Sequence, residues 1–235
     1  MNHAGKPTRK GDSRYQPNGS LSEIGDQQRP IGKSKVESSI VGFFVGRMPA
    51  EFRFSEANRV TSPQDFDIPA FFAAIDARRH AEHLTWLALT KTIWEQSRVL
   101  NERRKDHPIS PATVRNLGER GDVSCQHALF LLRWLDVPPE TFIAEPQPGT
   151  AGIPLPLADD AHRLRWNLSK LYRTLNAART SRGATWHQAA KHLHCTANQL
   201  TNLRIAKFAT GMRLAMRITQ ALRRPAANFI DVAEW

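Results

Sequence analysis

Leu164, Leu168, Leu171, Tyr172 and Leu175 recur at helical spacing and predict a helix with one apolar face. A second helix opens at Thr185, a residue suited to an N-cap, and runs to about His194. Thr196 caps a third, which turns Leu200 and Leu203 inward. After a basic loop, Arg204-Ile205-Ala206-Lys207-Phe208, a fourth helix buries Leu214, Ile218, Ala221 and Leu222 until Pro225 stops it. Phe229 and Ile230 close the core beyond its end. The first half of the chain follows the same plan with a longer second helix. There Trp86, Leu89, Ile93, Trp94 and Leu100 keep helical spacing, and the polar run NERRKDHP breaks it. Ser110 caps the third helix, and Leu131, Leu132, Trp134 and Leu135 mark the fourth.

The two plans are copies of one another. AIDARRHAEHLTW (74–86) aligns with TLNAARTSRGATW (174–186) at an offset of 100, pairing Ala77, Arg79, Thr85 and Trp86 with Ala177, Arg179, Thr185 and Trp186. ISPATVRNL (109–117) aligns with CTANQLTNL (195–203) at an offset of 86. LRWLDVPPETFI (132–143) aligns with TQALRRPAANFI (219–230) at 87, pairing Leu135, Pro138, Phe142 and Ile143 with Leu222, Pro225, Phe229 and Ile230. The first copy thus carries 14 extra residues between Trp86 and Ile109. Ordered matches of this kind mark an internal duplication.

The predicted fold is all-α. Two tandem helix-turn-helix domains of four to five helices each, residues 67–143 and 164–235, are joined by a Pro-rich linker at 144–163. Residues 1–66 read as a basic, mostly disordered tail, with a short apolar patch at Ile40-Val41-Gly42-Phe43-Phe44-Val45.

TWHQAAKHLHCTANQLTNL resembles the helix-turn-helix of the phage-repressor or Cro (XRE-like) family, with Thr185, Ala190, Cys195, Thr196, Leu200, Thr201 and Leu203 at matching positions. His194 stands where that family has the turn glycine, and histidine tolerates positive φ better than most residues. ISPATVRNL carries the second half of the same motif. The resemblance implies that the solvent side of the third helix reads bases in the major groove. In the second copy this face offers Asn198, Gln199, Thr201 and Asn202, and in the first Thr113, Arg115 and Asn116. Asn and Gln suit adenine, and Arg suits guanine. Phosphate contacts fall to Thr185, Lys191, Thr196, Arg204 and Lys207, and to Ser110 and Arg120 in the first copy. The resemblance further implies double-stranded DNA as partner and a homodimer on inverted repeats.

Charge agrees with that partner and locates it. The 235 residues carry a formal +11 at pH 7, and segments 1–66, 67–143, 144–163 and 164–235 contribute +3, 0, −2 and +10. No acidic residue occurs between Asp160 and Asp231. A stretch with basic residues only repels itself and suits a phosphate-rich partner. The balanced first copy raises a second reading, in which it dimerises or captures another regulator, as an antiactivator or antitoxin-like protein does. A third reading is an architectural or excision factor that bends DNA.

Other chemistry is set aside at this level. Cys125 and Cys195 are the only cysteines, too few for a disulfide framework or a Cys-rich zinc site. His187 and His192 lie five apart, on different helix faces, so no metal or cofactor is expected. No phosphate loop, GxSxG or HExxH occurs, and no catalytic residue is assigned. Trp86 and Trp186 recur at one repeat position and are expected to pack rather than stack bases. Asp159-Asp160 are expected to favour the start of the following helix. No apolar run approaches a membrane span, no secretory leader is read in the first residues, and a cytoplasmic, nucleoid-associated location is expected.

Overall fold

Asp67 starts the first helix by accepting the Ala70 N–H on its side chain, and Asn167 starts the equivalent helix by accepting from Lys170. The computed structural model describes residues 62–105, 109–146, 150, 153–205 and 210–234. Helices α1 (Ile68–Ala81), α2 (Trp86–Glu95), α3 (Arg98–Arg104), α4 (Pro111–Arg115) and α5 (Cys125–Leu135) lead to a 3-10 turn at Pro139–Phe142. Strand β1 (Arg163–Trp166) opens the second copy. Helices α6 (Leu168–Ser181), α7 (Trp186–His192), α8 (Ala197–Asn202) and α9 (Met212–Ala221), a 3-10 turn at Ala226–Phe229 and strand β2 (Ile230–Ala233) complete it. The described elements are mostly helical and belong to one compact unit, Phe52–Trp235. The apolar patch at 40–45 and most of the expected tail lie outside the described residues.

The duplication extends to individual bonds. Thr85 and Thr185 cap α2 and α7, and Ser110 and Thr196 cap α4 and α8. Phe72 stacks on Trp86 at 5.9 Å and Tyr172 on Trp186 at 5.4 Å, with Arg79 and Arg179 lying over those indoles at 4.3 and 4.6 Å. Each of these arginines also donates to the carbonyl ahead of the cap, Leu84 at 2.7 Å and Ala184 at 2.6 Å. The half-buried tryptophans therefore serve packing within each copy. Left-handed backbone recurs as well: His83 with Gly183 at one offset, Asp136 with Arg223 at another.

The core runs through both copies. Phe66, Phe71 and Phe142 meet edge to face at 5.0–5.6 Å, and Leu129, Leu131, Leu132, Leu171, Met216 and Phe229 are fully buried in the same cluster. Each 3-10 turn returns to its own first helix: the Asp67 N–H donates to the Phe142 carbonyl and the Asn167 N–H to that of Phe229.

Five expectations change. The long second helix of copy 1 is two helices, broken at Gln96 and Ser97. Asn101 donates to the Trp94 carbonyl at the break, and the Ser97 hydroxyl donates to the His162 carbonyl. The first part of the polar run, Asn101–Arg104, is helical, because buried Asn101 bonds the guanidinium of Arg163. Leu164 lies in a strand, not in the first helix: β1 pairs antiparallel with β2, from Arg163 opposite Ala233 to Trp166 opposite Ile230. Asp159 and Asp160 turn away from α6, toward His162 and Arg98 respectively. Residues 62–66, expected in the tail, are fixed by a fully buried Phe66 and by bonds to α9.

Candidate nucleic-acid interface

Helices α7 and α8 are joined by Leu193–Thr196, and both begin with a reciprocal capping box. Thr185 accepts the Gln188 N–H while the Gln188 side chain accepts the Thr185 N–H; Thr196 and Gln199 do the same for α8. His194 stands in the turn at φ 49°, as its replacement of glycine requires. Ala190, Leu193, Leu200 and Leu203 are buried and hold the pair against the core. Arg217 of α9 locks the turn from beneath, donating to the carbonyls of Leu193 (3.2 Å) and His194 (2.9 Å) while its Nε bonds Asp65 at 2.6 Å.

This geometry sorts the expected contact residues. Asn198 and Asn202 are exposed, and neither amide has a side-chain partner among the described residues. Gln199 is exposed, but its amide oxygen receives the Thr196 N–H, which removes one of the two groups that bidentate adenine pairing needs. Thr201 is half-buried and donates to the Asn198 carbonyl. The hydroxyls of Thr185 and Thr196 accept backbone N–H groups of their own helices. Lys191 and Arg204 are exposed, and Lys207 lies outside the described residues.

In the first copy, α4 is shorter but is built alike. Ser110 accepts the Thr113 N–H, and the two hydroxyls lie 2.8 Å apart. Arg115 and Arg120 are exposed, and the Arg115 Nε reaches the Asn116 amide oxygen at 3.4 Å.

Two features escape sequence reasoning. Arg217 appears there only as one more basic residue, because its carbonyl partners sit more than twenty positions away. The second is a cavity of about 270 Å³ among α6, α7 and α9, lined by Leu175, Ala189, Leu193, Ala221 and Leu222. The first copy has Trp134, buried beneath Arg78, at the position of Ala221, and Leu89 at the position of Ala189, so two larger residues stand where the second copy has alanines. His192 lines this cavity; burial, with help from His194 and Arg182, holds its imidazole below the usual histidine range. Burial pushes the Cys195 thiol up. Among the described residues no three His, Cys, Asp or Glu side chains gather as a metal site would need, and no helix is long and apolar enough to cross a membrane.

No protein-family model, curated protein or solved structure matches this chain.

Proposed function

We propose that the chain is a sequence-specific, double-stranded-DNA-binding transcriptional regulator of helix-turn-helix type, with α8 as its principal reading helix. The observation that carries this reading is the pairing of form with charge in the second copy. The α7–α8 pair is rigidly capped at both starts, its turn is locked by Arg217, and α8 leaves the amides of Asn198 and Asn202 open to solvent. The segment 164–235 that holds it carries +10. A fixed short helix with open amide groups amid unbalanced positive charge suits base edges flanked by phosphates. Base contacts fall first to Asn198 and Asn202, with Thr201 and the amide nitrogen of Gln199 as secondary groups. Lys191, Arg204 and Lys207 supply the phosphate contacts. The resemblance to phage-type repressors supports repression as the sense of regulation.

The test is binding of the full chain to DNA from its own promoter region by fluorescence anisotropy over a salt series. Specific affinity in the nM range with a steep negative salt slope is expected. Arg204→Ala combined with Lys207→Ala lowers affinity on all sequences and reduces the slope by about 2. An unchanged slope removes these two residues from the interface.

A further inference from the structure

The N–H of Cys125 donates to the Thr210 carbonyl at 2.9 Å, and the N–H of Met212 donates to the Val123 carbonyl at 2.7 Å. Between these two bonds Ser124 and Gly211 face each other as an antiparallel bridge. Positions 124 and 211 differ by 87, the same offset that relates Leu135 to Leu222 and Phe142 to Phe229. Each copy therefore bonds the other through the same residues, and position pairs with its own counterpart. That is the signature of an isologous, two-fold contact, here formed within one chain.

The segments that lead into the two copies repeat the exchange. Gln64, ahead of α1, trades bonds with Gln220 of α9 at 2.9 and 2.8 Å, and neighbouring Asp65 pairs with Arg217. Ahead of α6, the carbonyls of Ala158, Asp159 and His162 receive Arg133 of α5, and the Leu164 carbonyl receives Gln126. Arg133 and Gln220 are themselves equivalent at the same offset. Each lead-in thus crosses to the last helix of the other copy. The 3-10 turns also meet, the buried Glu140 accepting the Ala226 N–H at 2.6 Å.

A two-fold axis sets α8 and α4 at the same height, so one duplex meets both where their exposed sides point along that axis. The two helices are chemically unlike. Asn198 and Asn202 are exposed on α8, whereas exposed Arg115 ends α4. We infer that one chain is a complete, asymmetric pseudo-dimer that spans both halves of an imperfect inverted repeat, α8 on an adenine-bearing half-site and α4 on a guanine-bearing one. The inference rests on the DNA-binding reading above. It replaces the homodimer that the family resemblance implies, because the two-fold contact is already made within one chain.

The experiment selects sites from a random duplex library with the full chain and then weighs the complex on the selected duplex. The expected result is one chain per duplex and two unlike half-sites in inverted orientation, about one helical turn apart. Turning one half-site to the direct orientation lowers affinity at least about ten-fold. Asn202→Ala relaxes selection at the adenine half only and Arg115→Ala at the guanine half only, each by at least about five-fold. Two chains on two identical half-sites, or equal affinity for direct and inverted arrangements, overturns the pseudo-dimer and leaves DNA recognition standing. Failure to enrich any sequence overturns the DNA-binding reading itself.

Discussion

Ser124 and Gly211 oppose each other across an antiparallel bridge, flanked by the Cys125–Thr210 and Met212–Val123 hydrogen bonds. The two positions are equivalent, yet only one can carry a side chain. Beside Gly211 lies the carboxylate of Asp122, whose Oδ1 accepts the N–H groups of Val123 and Arg213 at 2.8 and 3.2 Å. A Cβ at 211 would land inside that carboxylate.

Gly211→Ala therefore forces Asp122 out of its bonds. The expected cost is about 1–3 kcal/mol of unfolding free energy, read by denaturant titration. Combining it with Asp122→Ala costs less than the two single changes together, because the clash disappears. Additive effects in that cycle would show that the two residues do not compete for space.

Glu140 gives the stability a pH dependence. Burial raises its carboxyl above the ordinary 4.5, and the Ala226 and Glu140 backbone N–H bonds only partly oppose this. Folding thus favours the protonated acid. Its contribution is full below the unfolded value and is lost as pH rises through the folded one. Glu140→Gln is expected to flatten the decline in melting temperature above pH 4.5 and to raise stability at neutral pH. A mutant that melts lower than wild type at every pH would contradict this.

At His194 the backbone sits at φ 49°, where a residue without Cβ is at ease. His194→Gly is expected to stabilise the unit by about 0.5–1 kcal/mol while leaving DNA affinity within a few-fold. Calorimetry and anisotropy on the same sample check both halves of the statement.

The cavity under α7 is lined by Ala221 and Ala189, which stand at the positions of Trp134 and Leu89 in the first copy. Ala221→Leu adds apolar contact with Leu175 and Leu193 and is expected to raise stability by about 0.5–2 kcal/mol. A lower melting temperature would mean that the lining does not accept the added volume.

Much of this architecture was legible in the chain. Although α9 buries Met212, Ala215 and Met216 and leaves Leu214, Ala221 and Leu222 half-buried, the Thr and Ser caps, the inward turn of Leu171, Leu175, Leu200 and Leu203 and the left-handed turn at His194 all depend on residues within a few positions of one another. Local sterics and local hydrogen bonds decide such features, so periodicity and residue type reveal them. The exposed amides of Asn198 and Asn202 follow for the same reason, being set by the inward turn of Leu200 and Leu203.

What tertiary structure alone decided involves partners far apart in sequence. The break at Ser97 is stabilised by the His162 carbonyl, and Leu164 became strand because β2 lies beside it. Arg217 became the lock on the turn, and Gln199 spent its oxygen on a cap instead of facing outward with both amide groups free. Above all, sequence showed that there are two copies but not how they meet. Two copies of one design can hang on a linker or close on each other, and the spacing of apolar residues is the same in both cases. The bridge at Ser124 and Gly211 and the crossed lead-ins close them, through backbone groups that every residue possesses and no pattern distinguishes.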